Sequence, residues 1–247
     1  MKVAFFPGCM VDMFYPQVGM SAVRVLEKLG CEVEVPKEPV CCGQPFSNSG
    51  FSKQAQPLIK TVLKGYDKYD IIVSLTGSCA YAVKHDAKRI IQNDPKAMRS
   101  WEKVSDRIFE FTDFLVNGLE RQDFGHLKAT VTYHKSCHVT RLLGIKEEPL
   151  QLLESIDGLN YVEMEAADRC CGFGGTFCIK EPEISAEMAR EKIELALETG
   201  ADYLCGADQA CLMNLEGTLQ RLQNSHKTSA KMQVKHIAQI LDMALEG

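Results

Sequence analysis

The chain has 247 residues, of which 45% are hydrophobic and 25% are charged, and its formal net charge is −5 at pH 7. These proportions are typical of a globular protein, and the net negative charge argues against the basic surface by which most proteins bind nucleic acid. No run approaches the roughly 18 apolar residues of a membrane span, and none forms a signal peptide, so we expect a cytoplasmic protein without a transmembrane segment.

Strand and helix patterns alternate along the first half of the chain. Short apolar runs predict buried strands at 3–6, 31–35 and 71–75. Helical periodicity predicts helices at 21–30, 52–66 and, in several segments, from 81 to 119. Gly30 is expected to end the first of these helices, and Pro57 is expected near the first turn of the second. The stretch 121–128 has no clear periodicity and is the predicted linker.

The second half repeats this order. Strands are predicted at 131–133, 161–164 and 202–204, and helices at 149–156, 182–199 and 234–245, the last of which matches 109–116. The helix at 182–199 has the clearest pattern, with Pro182 at its first position and Gly200 after its end. Its apolar stripe consists of Ile184, Met188, Ala189, Ile193 and Ala196.

The alternation of strands and helices predicts an α/β fold with two duplicated domains, 1–124 and 125–247. Each domain is expected to be a small parallel sheet flanked by helices, with right-handed connections between the strands. If the two sheets pack edge to edge, pseudo-two-fold symmetry relates the domains.

The duplication is most evident in the cysteines. A Cys-Cys-Gly motif occurs twice, and each copy has one cysteine far before it and one far after it. The two sets are Cys9, Cys41, Cys42, Cys79 and Cys137, Cys170, Cys171, Cys211. Corresponding members have similar offsets, from 128 residues between Cys9 and Cys137 to 132 between Cys79 and Cys211. Such constant offsets indicate an internal repeat whose shared feature is a set of thiols.

The cysteines of each set follow predicted strands. We therefore expect them in loops at the carboxyl edge of a parallel sheet, where open α/β sheets bind ligands. Residues distant in sequence can meet there in one pocket. Eleven cysteines in a reducing compartment indicate metal or redox chemistry rather than disulfides. Cys31 belongs to neither set and is expected to be a buried structural cysteine.

The adjacent cysteines favour an iron–sulfur cluster. Structural zinc sites usually contain a local C-x2-4-C pair, which neither set has. Neighbouring side chains diverge, so two adjacent thiolates suit the separate irons of a cluster better than one tetrahedral ion. Zinc, a metal-free dithiol and a vicinal disulfide remain open as alternatives.

Six motifs give the chain a resemblance to a known family. They are Pro7-Gly8-Cys9, Cys41-Cys42-Gly43-Gln44-Pro45, Gly77-Ser78-Cys79, Ser136-Cys137-His138, Cys170-Cys171-Gly172-Phe173-Gly174-Gly175 and Gly206-Ala207-Asp208-Gln209-Ala210-Cys211. With them the chain resembles, over nearly its whole length, the cysteine-rich (CCG) domain iron–sulfur proteins. Within that family it is most similar to the small iron–sulfur subunits of L-lactate-oxidising complexes, and more distantly to glycolate oxidase iron–sulfur subunits and the B subunit of heterodisulfide reductase.

The resemblance implies a cofactor, a function and partners. It implies one or two iron–sulfur clusters per chain, of the 4Fe-4S type, held by the eight cysteines of the two sets. It implies electron transfer during oxidation of L-lactate, or a related 2-hydroxy acid, to pyruvate. The implied partners are a ferredoxin-like iron–sulfur protein and a third small subunit. No flavin or nicotinamide motif is visible, so we expect a subunit that is not an enzyme by itself, and no catalytic residue is assigned.

Two other functions remain as alternatives. One is a thiol or disulfide reductase subunit that resembles heterodisulfide reductase B. The other is a zinc-binding interaction module without redox activity. The first is weakened by a departure from the heterodisulfide reductase pattern, in which each half ends with C-x-x-C. Here Thr76 and Asp208 occupy the first position of that pair, so each half is one thiolate short.

The two pockets are not expected to be equivalent. Cys178 and Cys205 are possible extra ligands in the second half, whereas only Cys31 is available in the first. The glycine-rich stretch 172–175 can offer backbone N–H groups to a cluster. The corresponding stretch of the first half, 43–45, contains Pro45, which has no N–H group to donate. We therefore predict firmer cluster binding in the second pocket.

Four polar residues near Cys137 have open roles. His134 and His138 flank it, and either a ligand or proton-donor role or simple hydrogen bonding within a loop is compatible with the sequence. Lys135 and Arg141 could attract an anionic substrate or could be solvated surface residues.

Overall fold

The computed structural model describes residues 1–37, 41–121 and 123–247, which separate into two units, Met1–Gly118 and Leu119–Gly247. The domain limits 1–124 and 125–247 stay a prediction. Among the described residues, no helix combines the length and the apolar character needed to span a bilayer.

The first unit contains a four-stranded parallel sheet in the order β2-β1-β3-β4. Its strands are β1 (Lys2–Phe6), β2 (Glu32–Glu34), β3 (Ile72–Ser74) and β4 (Ile108–Glu110). Its helices are α1 (Cys9–Phe14), α2 (Pro16–Lys28), α3 (Gln44–Asn48), α4 (Ser52–Tyr66), α5 (Gly77–Tyr81), α6 (Ala87–Ile91), α7 (Pro95–Ser105) and α8 (Phe111–Asp113), with π-helical turns at Ala82–Asp86 and Phe114–Gly118.

The second unit contains a four-stranded parallel sheet in the order β6-β5-β7-β8. Its strands are β5 (His126–His134), β6 (Asp157–Tyr161), β7 (Tyr203–Gly206) and β8 (Gln233–His236). Its helices are α9 (Glu148–Glu154), α10 (Phe177–Lys180), α11 (Pro182–Glu198), α12 (Gln209–Asn224) and α13 (Ile237–Glu246), with a π-helical turn at His138–Leu142.

Each sheet is stabilised by the apolar face of the long helix that follows its Cys-Cys-Gly motif. In α4, Ala55, Ile59 and Val62 recur at helical spacing and are at most 3% exposed. They pack in one core with Ala4 and Ile72 from the central strands. The apolar residues of α11 form a core in the second unit in the same manner. Burial of such faces against a sheet is the main stabilising contribution to this architecture.

Both sheets have the same strand order. The first strand in sequence lies between the second and the third, so sheet growth reverses between β1 and β3 and again between β5 and β7. Such a reversal leaves a crevice at the carboxyl ends of the two central strands. The prediction of an α/β fold with two small parallel sheets flanked by helices is confirmed.

The fourth strand of each sheet was not predicted. The sequence pattern predicts helices at 109–116 and 234–245, but β4 and β8 precede the helices there. These edge strands are only three or four residues long and lead directly into a helix. Glu110 ends β4 and accepts the backbone N–H of Thr112, and His236 ends β8 and accepts that of Ala238. Because each strand runs into a helix without a loop, the helical pattern of the following residues led to a single helix being predicted over both elements.

Several predicted boundaries also differ from the structure. The strand predicted at 161–164 is β6, which ends at Tyr161 and begins earlier, at Asp157. Its first residues, Asp157 and Gly158, are exposed at the edge of the sheet, so no apolar run marked them as strand. The predicted linker 121–128 overlaps β5, and its residue 122 lies outside the described residues. Pro57 lies inside α4 rather than in its first turn. Helix α11 matches its prediction closely, but Ile184 is 54% exposed and does not join the buried stripe.

Candidate metal centre

Three cysteines of the first set, Cys9, Cys41 and Cys79, meet at the carboxyl edge of the first sheet. Cys9 begins α1 directly after β1, and Cys79 lies in α5 after β3, so the two flank the crevice between the central strands. The side chains of Cys9 and Cys41 are hydrogen-bonded, and Cys79 lies near enough to Cys9 to affect its ionisation. Cys42 and Cys79 are buried, at 3% and 8% exposure.

Gly8 lets the backbone approach this group of thiols closely. Its φ of 77° is in the left-handed region that favours glycine. A Cβ atom at this position would lie 3.0 Å from the Cys79 sulfur and 3.1 Å from the Thr76 hydroxyl oxygen. Any side chain at Gly8 would therefore press directly on the thiols.

One proton is shared unequally between Cys9 and Cys41. The hydrogen bond from Cys9 lowers the pKa of the Cys41 thiol to about 6. The same hydrogen bond, together with burial, raises the pKa of Cys9. Cys41 is therefore the first thiolate of this set, and Cys9 is the thiol that donates to it.

The four cysteines of the second set form a continuous chain of sulfur contacts. Cys137 is hydrogen-bonded to Cys170, Cys170 to Cys171, and Cys171 to Cys211. Cys137 follows β5, and Cys211 lies in the first turn of α12 after β7, so the set again spans the crevice between the central strands. The hydroxyl of Ser136 lies 3.8 Å from the Cys211 sulfur.

Hydrogen bonding concentrates negative charge on Cys170. Contacts with Cys137 and Cys171 lower the pKa of Cys170 to about 2, and the backbone N–H of Gly172 also donates to its sulfur at 3.4 Å. The pKa of Cys137 and that of Cys171 are raised by their hydrogen bonds to Cys170 and by burial. Four close sulfurs cannot all become thiolates without a cation between them.

Gly172 fixes the turn after the second cysteine pair. Its φ is 80°, and a Cβ atom there would lie 2.6 Å from the carbonyl oxygen of Ser185 in α11. The first unit repeats this arrangement, because Gly43 has a φ of 81° and its Cβ would lie 3.3 Å from the carbonyl oxygen of Ala55 in α4. In both units glycine holds the cysteine pair against the long helix.

The sequence expectation that all the thiols lie in loops is only partly correct. Cys9, Cys79 and Cys211 lie in the first turns of helices, because each helix begins as soon as its strand has ended. They nevertheless lie at the expected edge of each sheet, where Cys9, Cys41 and Cys79 meet in the first unit and all four members of the set meet in the second.

The cysteine-rich domain family matches residues 3–84 and 131–216, one segment in each unit. The chain belongs to the cysteine-rich (CCG) domain family. Among its CCG relatives is the lactate utilization protein A of Bacillus cytotoxicus, 45% identical over 98% of this chain and 99% of the relative. Lactate utilization protein A of Lysinibacillus sphaericus is 44% identical over 94% of this chain and 99% of the relative.

One solved structure supports the fold of this CCG protein. A hypothetical protein from Helicobacter pylori superposes with a TM-score of 0.69 at 13% identity over 100% of this chain. The chain spans about half of that protein's length, 49%. At this level of identity the likeness concerns the fold alone.

Three cysteines, Cys31, Cys178 and Cys205, lie outside the two CCG sets. Cys205 is fully buried in β7, and burial alone raises the pKa of its thiol. The thiol of Cys178 donates to the carbonyl oxygen of Gly175 at 3.2 Å. Cys31 is buried next to β2, and its backbone N–H donates to Leu26. Burial of Cys31 agrees with the structural role expected for it.

Two buried polar residues of the second unit were missed or left open by the sequence. His134 is 1% exposed, and among the described residues neither ring nitrogen has a hydrogen-bond partner. Burial lowers its pKa to about 3. One of its ring nitrogens and the sulfurs of Cys171 and Cys211 lie within 4.8 Å of one another. A buried polar group left unpaired costs about 1–3 kcal/mol.

Lys192 is the second of these residues. It lies on the buried face of α11, is 0% exposed, and donates to the carbonyl oxygens of Ala166 and Ala167 at 2.8 and 2.7 Å. Burial lowers its pKa to about 8, while the nearby Asp168, Cys171 and Cys211 act in the opposite direction. Lys192 therefore places a cation beside the thiols.

The surface residues near Cys137 have partners. Lys135 forms an ion pair with Glu163, and Arg141 donates to the side chain of Asp168 at 2.9 Å. The ring Nδ1 of His138 lies 3.6 Å from the Cys137 sulfur. The two cations are thus engaged in surface ion pairs.

Proposed function

We propose that this CCG protein is the iron–sulfur electron-transfer subunit of a complex that oxidises L-lactate, or a related 2-hydroxy acid, to pyruvate. The observation that carries the proposal is the convergence of thiols at the carboxyl edge of each sheet, of Cys9, Cys41 and Cys79 in the first unit and of all four set members in the second. Lactate is proposed as the substrate because relatives that align with nearly the whole chain are named lactate utilization protein A.

Each domain, 1–124 and 125–247, is proposed to hold one 4Fe-4S cluster. The ligands would be Cys9, Cys41, Cys42 and Cys79 in the first and Cys137, Cys170, Cys171 and Cys211 in the second. The donor set fits such a group, because every set already contains a thiolate beside protonated thiols whose protons a metal would displace. When bound, a cluster supplies one-electron transfer.

The exposure of the thiols fits electron exchange with a partner. Cys42 and Cys79 in one set, and Cys171 and Cys211 in the other, are buried on the side of the core, where they exclude water. The remaining two cysteines of each set are half-buried. Each site thus has one side toward the surface, where a redox partner can approach. We propose a ferredoxin-like iron–sulfur protein and a third small subunit as these partners.

A zinc-binding module is the second candidate function. The observation that favours it is the cluster of His134, Cys171 and Cys211, because one nitrogen and two sulfurs are donors that zinc commonly takes. This alternative assigns the second unit a structural role rather than a redox role.

Lactate oxidation by purified components tests the proposal. The chain alone should not oxidise L-lactate, because hydride abstraction needs an organic acceptor that a cluster does not provide. Adding the other two proteins of the complex and an electron acceptor should start turnover. Turnover by the isolated chain at a rate comparable with the complex would contradict the subunit assignment.

A further inference from the structure

His134 occupies a position for which ordinary packing gives no reason. It is the last residue of β5, is 1% exposed, and has no hydrogen-bond partner for either ring nitrogen within the described residues. Buried polar side chains normally have a partner, so an orphaned imidazole points to a group that the protein binds.

The surroundings of His134 show where that group lies. A ring nitrogen and the sulfurs of Cys171 and Cys211 are mutually within 4.8 Å, and all three residues are buried. Metal bonds of about 2.1 Å to nitrogen and 2.3 Å to sulfur place ligands of one ion up to about 4.4 Å apart. The ring nitrogen of His134 therefore lies near enough to both sulfurs to reach a metal group that they bind.

The first unit provides an internal comparison. In the parallel pairing of β1 with β3, Phe6 lies opposite Ser74, and in that of β5 with β7, His134 lies opposite Gly206. Both pairs keep the offsets of the cysteines, so Phe6 and His134 are equivalent. Phe6 packs in the core with its ring 5.2 Å from that of Tyr66. A phenyl ring cannot bind a metal, so the difference is specific to the second unit.

We propose that His134 supplies an imidazole nitrogen ligand to the metal group held by the second set of thiols. This inference rests on the proposed function and deepens it. The second site then has mixed sulfur and nitrogen coordination, and the first has sulfur coordination from its four cysteines without an equivalent nitrogen. A neutral nitrogen adds a ligand without adding negative charge to a crowded group of thiolates.

Pulsed electron paramagnetic resonance of the iron-loaded full chain tests the inference. Protein prepared anaerobically with 15N-histidine and with natural histidine should show a nitrogen coupling that changes with the isotope. His134→Phe, which introduces the residue of the equivalent first-unit position, should lose this coupling and bind iron in the second unit about 10-fold or more weakly. His138→Gln is the matched control and should keep the coupling.

A second variant covers the case in which His134→Phe fails to fold. His134→Cys offers a thiolate at the same place and should retain the iron while losing the nitrogen coupling. A coupling that is absent from the iron-loaded wild type, or that persists in His134→Phe or His134→Cys, would overturn the inference and leave the iron–sulfur function intact.

Analysis of which metal the chain takes up distinguishes a failure of the proposed function from a failure of this inference. A chain that takes up zinc but neither iron nor sulfide refutes the iron–sulfur function. In that case X-ray absorption at the zinc edge still decides the role of His134. Replacement of a nitrogen neighbour in His134→Phe supports it, and an unchanged first shell overturns it.

Discussion

The sulfur of Cys79 lies 3.0 Å from the point where a Cβ atom on Gly8 would stand. This approach links the shape of the backbone after β1 to the position of a thiol after β3. Gly30 has a similar φ of 88°, but a Cβ there would have no neighbour within 4 Å. A side chain at Gly30 would therefore strain only the backbone, whereas a side chain at Gly8 would also press on the Cys79 thiol.

Gly8→Ala should lower the metal content of the first unit, and Gly30→Ala should not. Each substitution forces alanine to a positive φ, at a cost of about 1–3 kcal/mol in unfolding free energy. Only Gly8→Ala also displaces Cys79. Iron and acid-labile sulfide per folded chain are the measurement, and equal metal contents in the two variants would contradict the close approach described here.

Cys211→Ser should lose more iron than Cys79→Ser. Cys211 ends a chain of four hydrogen-bonded sulfurs, and the hydroxyl of Ser136 lies 3.8 Å from its own sulfur. Loss of a direct ligand should weaken cluster binding roughly 100-fold or more, beyond what is usual for outer-shell residues. Cys205→Ala is the control, since burial raises the pKa of its thiol without a contribution from the thiols of the set. Equal losses from the two serine variants would mean equivalent clusters.

Lys192→Met should lower the reduction potential of the second unit's cluster. The buried ammonium group beside Cys171 and Cys211 favours the more negative, reduced state. An interaction of about 1–2 kcal/mol at an effective dielectric constant near 20 corresponds to roughly 40–90 mV for one electron. Arg190→Met, on the exposed side of α11, is the control and should leave the potential nearly unchanged. A spectroscopic redox titration compares the variants, and a potential that does not fall in Lys192→Met refutes the electrostatic role.

Glu110→Gln should change how the stability of the first unit depends on pH. Burial raises the pKa of Glu110 to about 8, against its ordinary value of 4.5. The folded state therefore holds a proton that the unfolded state has released between these values. The unfolding free energy contributed by Glu110 falls as pH rises from about 4.5 to about 8, and is constant above that range.

The measurement for Glu110 is urea unfolding at several pH values. Trp101 is the sole tryptophan and lies in α7, so its fluorescence reports on the first unit. The variant should gain stability relative to wild type across the stated range, by about 1.4 kcal/mol for each unit of pKa shift. Glu32→Gln, an exposed carboxyl on β2, is the control. A parallel pH dependence in wild type and Glu110→Gln would refute a protonated Glu110.

The sequence was sufficient for the central part of the fold. Apolar strands such as β1 and β3 and the amphipathic helix α11 carry strong patterns, because each is determined by its own burial. The short edge strands β4 and β8 were missed, because pairing with one neighbour leaves little trace in three or four residues.

The sequence also predicted the main part of the site, the two sets of thiols, but not the buried polar residues beside the second set. Repeated offsets between cysteines predicted the two sets of thiols, because a duplicated sheet must place equivalent residues at equivalent edges. His134 and Lys192 could have been found by aligning the two halves with those offsets, which places them against Phe6 and Leu63. Their burial and their closeness to Cys171 depend on three-dimensional packing, which periodicity does not encode.

Iron, zinc and acid-labile sulfide per chain in anaerobically purified protein test the central claim most directly. We expect iron and sulfide in similar amounts and a brown protein whose visible absorption disappears in air, since half of the thiols in each set reach the surface. Zinc without iron or sulfide, or a colourless protein that develops no visible absorption after incubation with iron and sulfide, would contradict the iron–sulfur assignment.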